Sequence, residues 1–283
     1  MLRILGDGFN STELKALLFK ANYSYLTLAI LLTAIGIVIK GKRLQILANQ
    51  FEINSSLWEF TKIQTISITF ALITPGRAGE FTKIYLLAKD KKELLPAGTV
   101  ICIFERLLDF LILTCISLIL CIFSLKDQRI MLLLLFSTIA LIGIFFVLFK
   151  MEIFAEKLLN VIPDKVKNFL SFFKENKRKL FSKSLIISVY SISIWCLDGF
   201  IAWIFLKSIG SENSILIVIG INAIVSIMSI LTILPLGLGT MDLSALYLYN
   251  ILLNVPKEKI VFILGAARFF SISTLLVMML PLL

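Results

Sequence analysis

Long apolar runs alternate along the chain with short stretches rich in lysine and arginine. Six runs have the length of a membrane crossing, at roughly 21–39, 98–125, 130–149, 184–206, 214–234 and 259–280. A hydrocarbon layer about 30 Å thick takes about 20 apolar residues of helix, each rising about 1.5 Å. Within lipid the backbone must satisfy its own polar groups, so uninterrupted runs of this length read as helices, whereas barrel strands would alternate in polarity. The pattern therefore predicts an all-α, polytopic integral membrane bundle, with residues 1–283 forming a single transmembrane domain.

Two apolar segments are interrupted. After Lys62 an apolar and hydroxyl-rich stretch runs to Thr74 and is broken by Pro75-Gly76-Arg77-Ala78-Gly79-Glu80; residues 81–88 and the lysines Lys89, Lys91 and Lys92 follow. About 13 residues of helix reach only about 20 Å, too short to cross. With basic residues on both flanks, the segment reads as a re-entrant hairpin whose tip is the Pro/Gly turn. Near the other end Pro235-Leu236-Gly237-Leu238-Gly239-Thr240-Met241-Asp242 breaks a second run, before a short helix to about residue 253. An offset of 162 places Glu80 on Asp242, Thr82 on Ser244, Tyr85 on Tyr247, Leu86 on Leu248 and Arg106 on Arg268, and a two-residue gap brings Pro75 onto Pro235. This reads as a weak internal repeat, with half one at about 21–125, half two at about 184–283 and a linker at about 150–183. Tracing the crossings makes the halves inverted. In transporters, paired Gly/Pro-broken segments in inverted halves point to a midplane binding site.

Composition removes the soluble alternatives: 59% of residues are hydrophobic, 16% are charged and the mean hydropathy is +0.97. The net charge of +10 reads as a topology label rather than a nucleic-acid footprint. Basic residues concentrate in 40–62, 83–92 and 150–183, which are expected to face the cytoplasm, with the N-terminus outside and the C-terminus inside. The last of these loops mixes phenylalanines with lysines and reads as surface-lying amphipathic helix, suited to anionic headgroups or simply solvated. No cleavable signal segment is apparent at the N-terminus. Cys102, Cys115, Cys121 and Cys196 fall within apolar runs and act as small apolar side chains. Histidine is absent, so no metal site or cofactor is expected.

A charge at the bilayer centre costs about 2.5–3.5 kcal/mol on insertion scales, which makes intramembrane ionisable residues functional candidates. Here they are Arg77, Glu80, Glu105, Arg106, Asp109, Asp242 and Arg268, with Asp198 standing alone in its run. Glu105, Arg106 and Asp109 share one helical face. Gly76 and Gly79 permit close backbone approach, and Thr240 is placed to cap the second short helix. The carboxylates either exchange partners with the arginines around a bound anion or only neutralise them; both readings fit the sequence.

These motifs resemble the transmembrane region of lysylphosphatidylglycerol synthases, a flippase-like membrane protein family. The resemblance rests on Pro75 to Glu80 with Tyr85-Leu86-Leu87, on Glu105-Arg106-Leu107-Leu108-Asp109, on Leu234 to Gly239 and on Arg268. It implies a lipid-translocating membrane domain, fused in some relatives to a cytoplasmic aminoacyl-transferase. No such domain is expected within these 283 residues, so synthase chemistry is not. The expected function is a lipid flippase or transporter that handles an anionic, phosphate-bearing headgroup at a midplane site in the plasma membrane. The expected partners are an anionic phospholipid or a polyprenyl-phosphate lipid, with a separate lipid-modifying enzyme as a further partner and no nucleic acid. The alternatives are a membrane-embedded transferase acting on lipid-linked substrates, or a non-catalytic membrane partner of a lipid-modifying enzyme.

Overall fold

A computed structural model describes residue 17 and residues 19–89, 91–125, 128–149, 164–231 and 239–279. Among them there are ten α-helices and no strand. The first half comprises α1 (Tyr23–Asn49), α2 (Leu57–Ile73), a 3₁₀ turn (Pro75–Phe81), α3 (Thr82–Ala88) and α4 (Leu95–Leu120). Then come α5 (Gln128–Phe149) and α6 (Asp164–Ser182). The second half comprises α7 (Ser184–Ser208), α8 (Ile215–Leu231), α9 (Thr240–Leu253) and α10 (Lys257–Met279). Four of the predicted crossings, in α1, α4, α7 and α10, are long and apolar enough to span a membrane, and α5 and α8 carry shorter apolar segments. Large apolar side chains such as Leu31, Ile35, Phe136, Leu185, Phe269 and Val277 point outward, as they do when the solvent is lipid. The protein is a multi-pass membrane protein.

Helix lengths repeat between the halves. The pairs are 27 and 25 residues for α1 and α7, 17 and 17 for α2 and α8, and 26 and 23 for α4 and α10; α3 and α9 differ, at 7 and 14. Counterpart helices α1 and α7 pack on one another. Asn22 meets Ser208, Lys40 meets Asp198, Arg43 meets Ser191 and Gln50 meets Ser182. Numbers rise along one helix as they fall along the other, so the pair is antiparallel. Cross-half contacts are reciprocal: α2 packs on α10 as α8 packs on α4, and α1 on α10 as α7 on α4. Contacts that match in kind between the segments are what an inverted repeat leads one to expect.

One detail fixes the register. Gly41 on α1 lets α2 approach so closely that a Cβ would lie 2.6 Å from the Thr61 hydroxyl, and Gly199 on α7 lets α8 approach to 2.8 Å at Ile219. Gly41 and Thr61 fall on Gly199 and Ile219 with one offset of 158. The same offset places Lys40 on Asp198, and these two counterparts are themselves bonded at 3.3 Å.

The segment 40–62, expected as a loop, is largely helix: α1 continues to Asn49 and α2 starts at Leu57. At about 1.5 Å per residue α1 is about 40 Å long, more than a bilayer core requires, and its last turns carry basic residues inside the bundle. The linker is partly described. Its helix α6 packs Phe181 edge-on against Phe104 of α4, at 5.6 Å between ring centroids, with Phe173 and Leu180 buried.

Candidate functional site

The first Pro/Gly turn is held against α2. Ser56 caps that helix by accepting from the Glu59 N–H, and after Thr74 the backbone turns through left-handed φ at Gly76 (56°) and Arg77 (57°). A non-glycine residue held at positive φ costs about 1–3 kcal/mol and marks a place where the surroundings dictate the backbone. The strained conformation directs the Arg77 side chain toward the molecular interior. Gly79 sits flush on α2, where any Cβ would overlap the backbone of Phe70 and Ala71, and its N–H donates to Thr74 Oγ1 at 2.6 Å.

Glu80, the last residue of the PGRAGE motif, is buried and serves three cations. It pairs with Arg106 of α4, with Arg77 at 3.4 Å and with Lys83 at 3.9 Å. Asp242 of α9 pairs with Arg268 of α10 at 2.7 Å. Both halves thus carry an acid at the start of the short helix bonded to an arginine on the next, at positions related by 162. Asp242 also accepts from the Gly239 N–H at 3.2 Å, which makes Gly239 (φ 98°) the N-cap in place of Thr240, the first helical residue. Pro235 and Gly237 lie outside the described residues.

Glu105 and Asp109 are bound differently from the sequence expectation. Arg43 of α1 donates through Nη1 and Nη2 to the two Asp109 oxygens at 2.5 and 3.1 Å, through Nε to Glu105 at 3.1 Å, and to Ser191 Oγ at 2.6 Å. Lys83 donates to the other Glu105 oxygen at 2.8 Å, and the Trp195 indole N–H donates to Asp109 at 3.1 Å. Arg43 is 2% exposed, and Lys83 and Glu105 are fully buried. Charges so deep survive only when paired and hydrogen-bonded, and removing one partner of such a pair costs about 3–5 kcal/mol. Arg106, on the same helix, turns away from this cluster to Glu80.

Next to the cluster lies a cavity of about 270 Å³. Arg77 and Arg268 line it, one from each of the two Gly/Pro-broken segments' neighbourhoods, together with Lys40, Trp195 and Asp198. Its walls include the counterpart pairs Ile68 and Ser226, and Ala71 and Ser229. Of the residues singled out from sequence, the structure thus brings Arg77 and Arg268 to one space. It holds Glu80, Arg106 and Asp242 immediately behind them as partners, and puts Glu105 and Asp109 in the neighbouring cluster. Asp198 is not alone; Lys40 neutralises it. Among the described residues no group of carboxylates and cysteines is arranged to hold a metal ion.

The family model described as "Lysylphosphatidylglycerol synthase TM region" matches residues 2–278. The chain belongs to this family. The match reaches well beyond the motifs from Lys62 onward, taking in the whole of α1. A search of curated proteins gives no match. Sequence reasoning missed Arg43, Lys83 and Lys40. Each lies near an apolar run's end, where basic residues read as cytoplasmic charge. One signal was available: Lys40 and Asp198 have opposite charge and fall at equivalent positions of the repeat.

Proposed function

We propose that this protein carries an anionic, phosphate-bearing lipid headgroup across the plasma membrane through the cavity between its halves, while the acyl or prenyl chains stay in surrounding lipid. The observation that carries the reading is that Arg77 and Arg268, far apart in sequence, line one cavity. Its volume of about 270 Å³ lies at the lower end of ligand pockets, typically about 300–1,000 Å³, and suits a headgroup rather than a whole lipid. Charge supports an anion. In the cluster and around the cavity, the six cations Arg43, Lys83, Arg106, Arg77, Arg268 and Lys40 are paired with five carboxylates, Glu80, Glu105, Asp109, Asp242 and Asp198. Arg77 is the cation with the weakest hold on a carboxylate, because Glu80 also serves Arg106 and Lys83.

In this reading α2, the Pro75–Phe81 turn and α3 form a hairpin that enters from the cytoplasmic face, and the second turn enters from outside. The N-terminus is outside and the C-terminus inside. The protein acts as a transporter rather than an enzyme, beside whatever enzyme makes or consumes the lipid. Proteoliposomes containing fluorescent phosphatidylglycerol or phosphatidylcholine test it. Protein-dependent transbilayer movement is expected for the anionic probe and is lost in Arg77→Gln; equal movement of the zwitterionic probe, or full activity of Arg77→Gln, contradicts the proposal.

A further inference from the structure

The cavity and the Arg43 cluster are built from residues at matching positions of the internal repeat. The counterparts of Arg43, Ser191, Glu105 and Asp109 are Ile201, Thr33, Ala267 and Ser271, and all four of these line the cavity. Lys40, Trp195 and Asp198 form the partition. Trp195 faces the cavity and also donates its indole N–H to Asp109 beneath it. One set of these matching positions therefore borders open space, and the other is filled by one guanidinium and its four acceptor atoms.

We infer that the Arg43 cluster is the closed gate of a second chamber, equivalent to the observed cavity, into which a phosphodiester passes from Arg268 to its counterpart Arg106. This rests on the transport reading above. Two halves of one architecture can exchange arrangements, so a space formed by one can be formed by the other. The pairings already match: Arg106 waits on Glu80 as Arg268 waits on Asp242. The gate itself does not. Its bonds are ionic on the filled side, whereas their counterparts on the open side carry no charge. In this structure the ionic side is shut. Opening it requires an anion at Arg106 or Arg43 to compete for the guanidinium groups that Glu80, Glu105 and Asp109 now hold.

A native cysteine reports on the gate. Cys102 is fully buried on α4, and its counterpart Leu264 lines the cavity. In proteoliposomes of a chain carrying Cys115→Ala, Cys121→Ala and Cys196→Ala, a membrane-impermeant methanethiosulfonate is expected to leave Cys102 unmodified. The same reagent is expected to modify Leu264→Cys placed in a Cys102→Ala background. Arg43→Gln, which keeps bulk and removes charge, should raise Cys102 reactivity by about tenfold or more and lower that of Leu264→Cys, the reciprocal change of a population shift. Asp109→Asn should do the same. Continued protection of Cys102 in both variants overturns the gate. A rise at both positions together also overturns it, because that is loosening rather than exchange. Labelling needs no lipid substrate. Exchange of reactivity without lipid movement keeps the gate and discards the transport reading, and lipid movement without exchange does the reverse.

Discussion

Lys83 and Glu105 form a fully buried ion pair in the first half, and the equivalent positions of the second half hold Ala245 and Ala267. The same two places in one architecture accept either a salt bridge or two methyl groups. The pair is thus a unit, and its cost of desolvation is met only when both partners are present. Lys83→Ala alone leaves Glu105 short of a partner, and Glu105→Ala alone leaves Lys83 so; each should lower stability by about 3–5 kcal/mol. The double variant should recover most of that loss, with Arg43 still held by Asp109, giving a coupling energy of at least about 2 kcal/mol in thermal unfolding of the detergent-solubilised protein. Additive losses would show that the two side chains act separately. At this scale the sequence was informative wherever a charge sits inside a motif: one offset puts Glu80 level with Asp242 and Arg106 level with Arg268, although it is the structure that shows each acid bonded to its arginine. It was uninformative for Lys83 and Arg43, because near the end of an apolar run a basic residue in solvent and one curled inward look alike. Only the partner on another helix distinguishes them.

Among the elements, the glycines divide into those that set helix spacing and those that do not. Gly41 and Gly199 bring α1 onto α2 and α7 onto α8, which in a membrane is how helices gain contact without a hydrophobic drive toward one another. Gly143 and Gly265 face open space. Gly41→Val and Gly199→Val are each expected to cost about 1–3 kcal/mol through overpacking, while Gly143→Ala and Gly265→Ala leave the midpoint of thermal unfolding unchanged. Equal effects at all four positions would contradict the assignment of register. Within the described residues the six predicted runs are helical, since apolar length alone dictates them. Their ends were harder to read. A helix can outrun the bilayer, as α1 does, whenever its last turns find polar partners in the bundle. The amphipathic pattern of 150–183 was legible as well, but the face of α6 that reads as lipid-seeking packs in part on α4 through Phe181.

For the whole molecule, the repeat read from a handful of sequence positions is accompanied by similar helix lengths, by close-packing glycines at Gly41 and Gly199 and by a bond between Lys40 and Asp198. The cavity lies where the halves meet, which no single segment of sequence could specify because its walls come from six helices and a turn. The central claim is that an anionic headgroup occupies this cavity between Arg77 and Arg268. Native mass spectrometry of the detergent-solubilised protein, titrated with phosphatidylglycerol or phosphatidylcholine, measures that most directly. A charge-assisted hydrogen bond contributes about 1.5–3 kcal/mol, so Arg77→Gln should weaken phosphatidylglycerol binding by about tenfold or more. Lys174→Gln and Lys179→Gln on the exposed face of α6 should not weaken it. Tighter binding of phosphatidylcholine than phosphatidylglycerol, or a loss confined to the α6 variants, would place the lipid elsewhere and contradict the account.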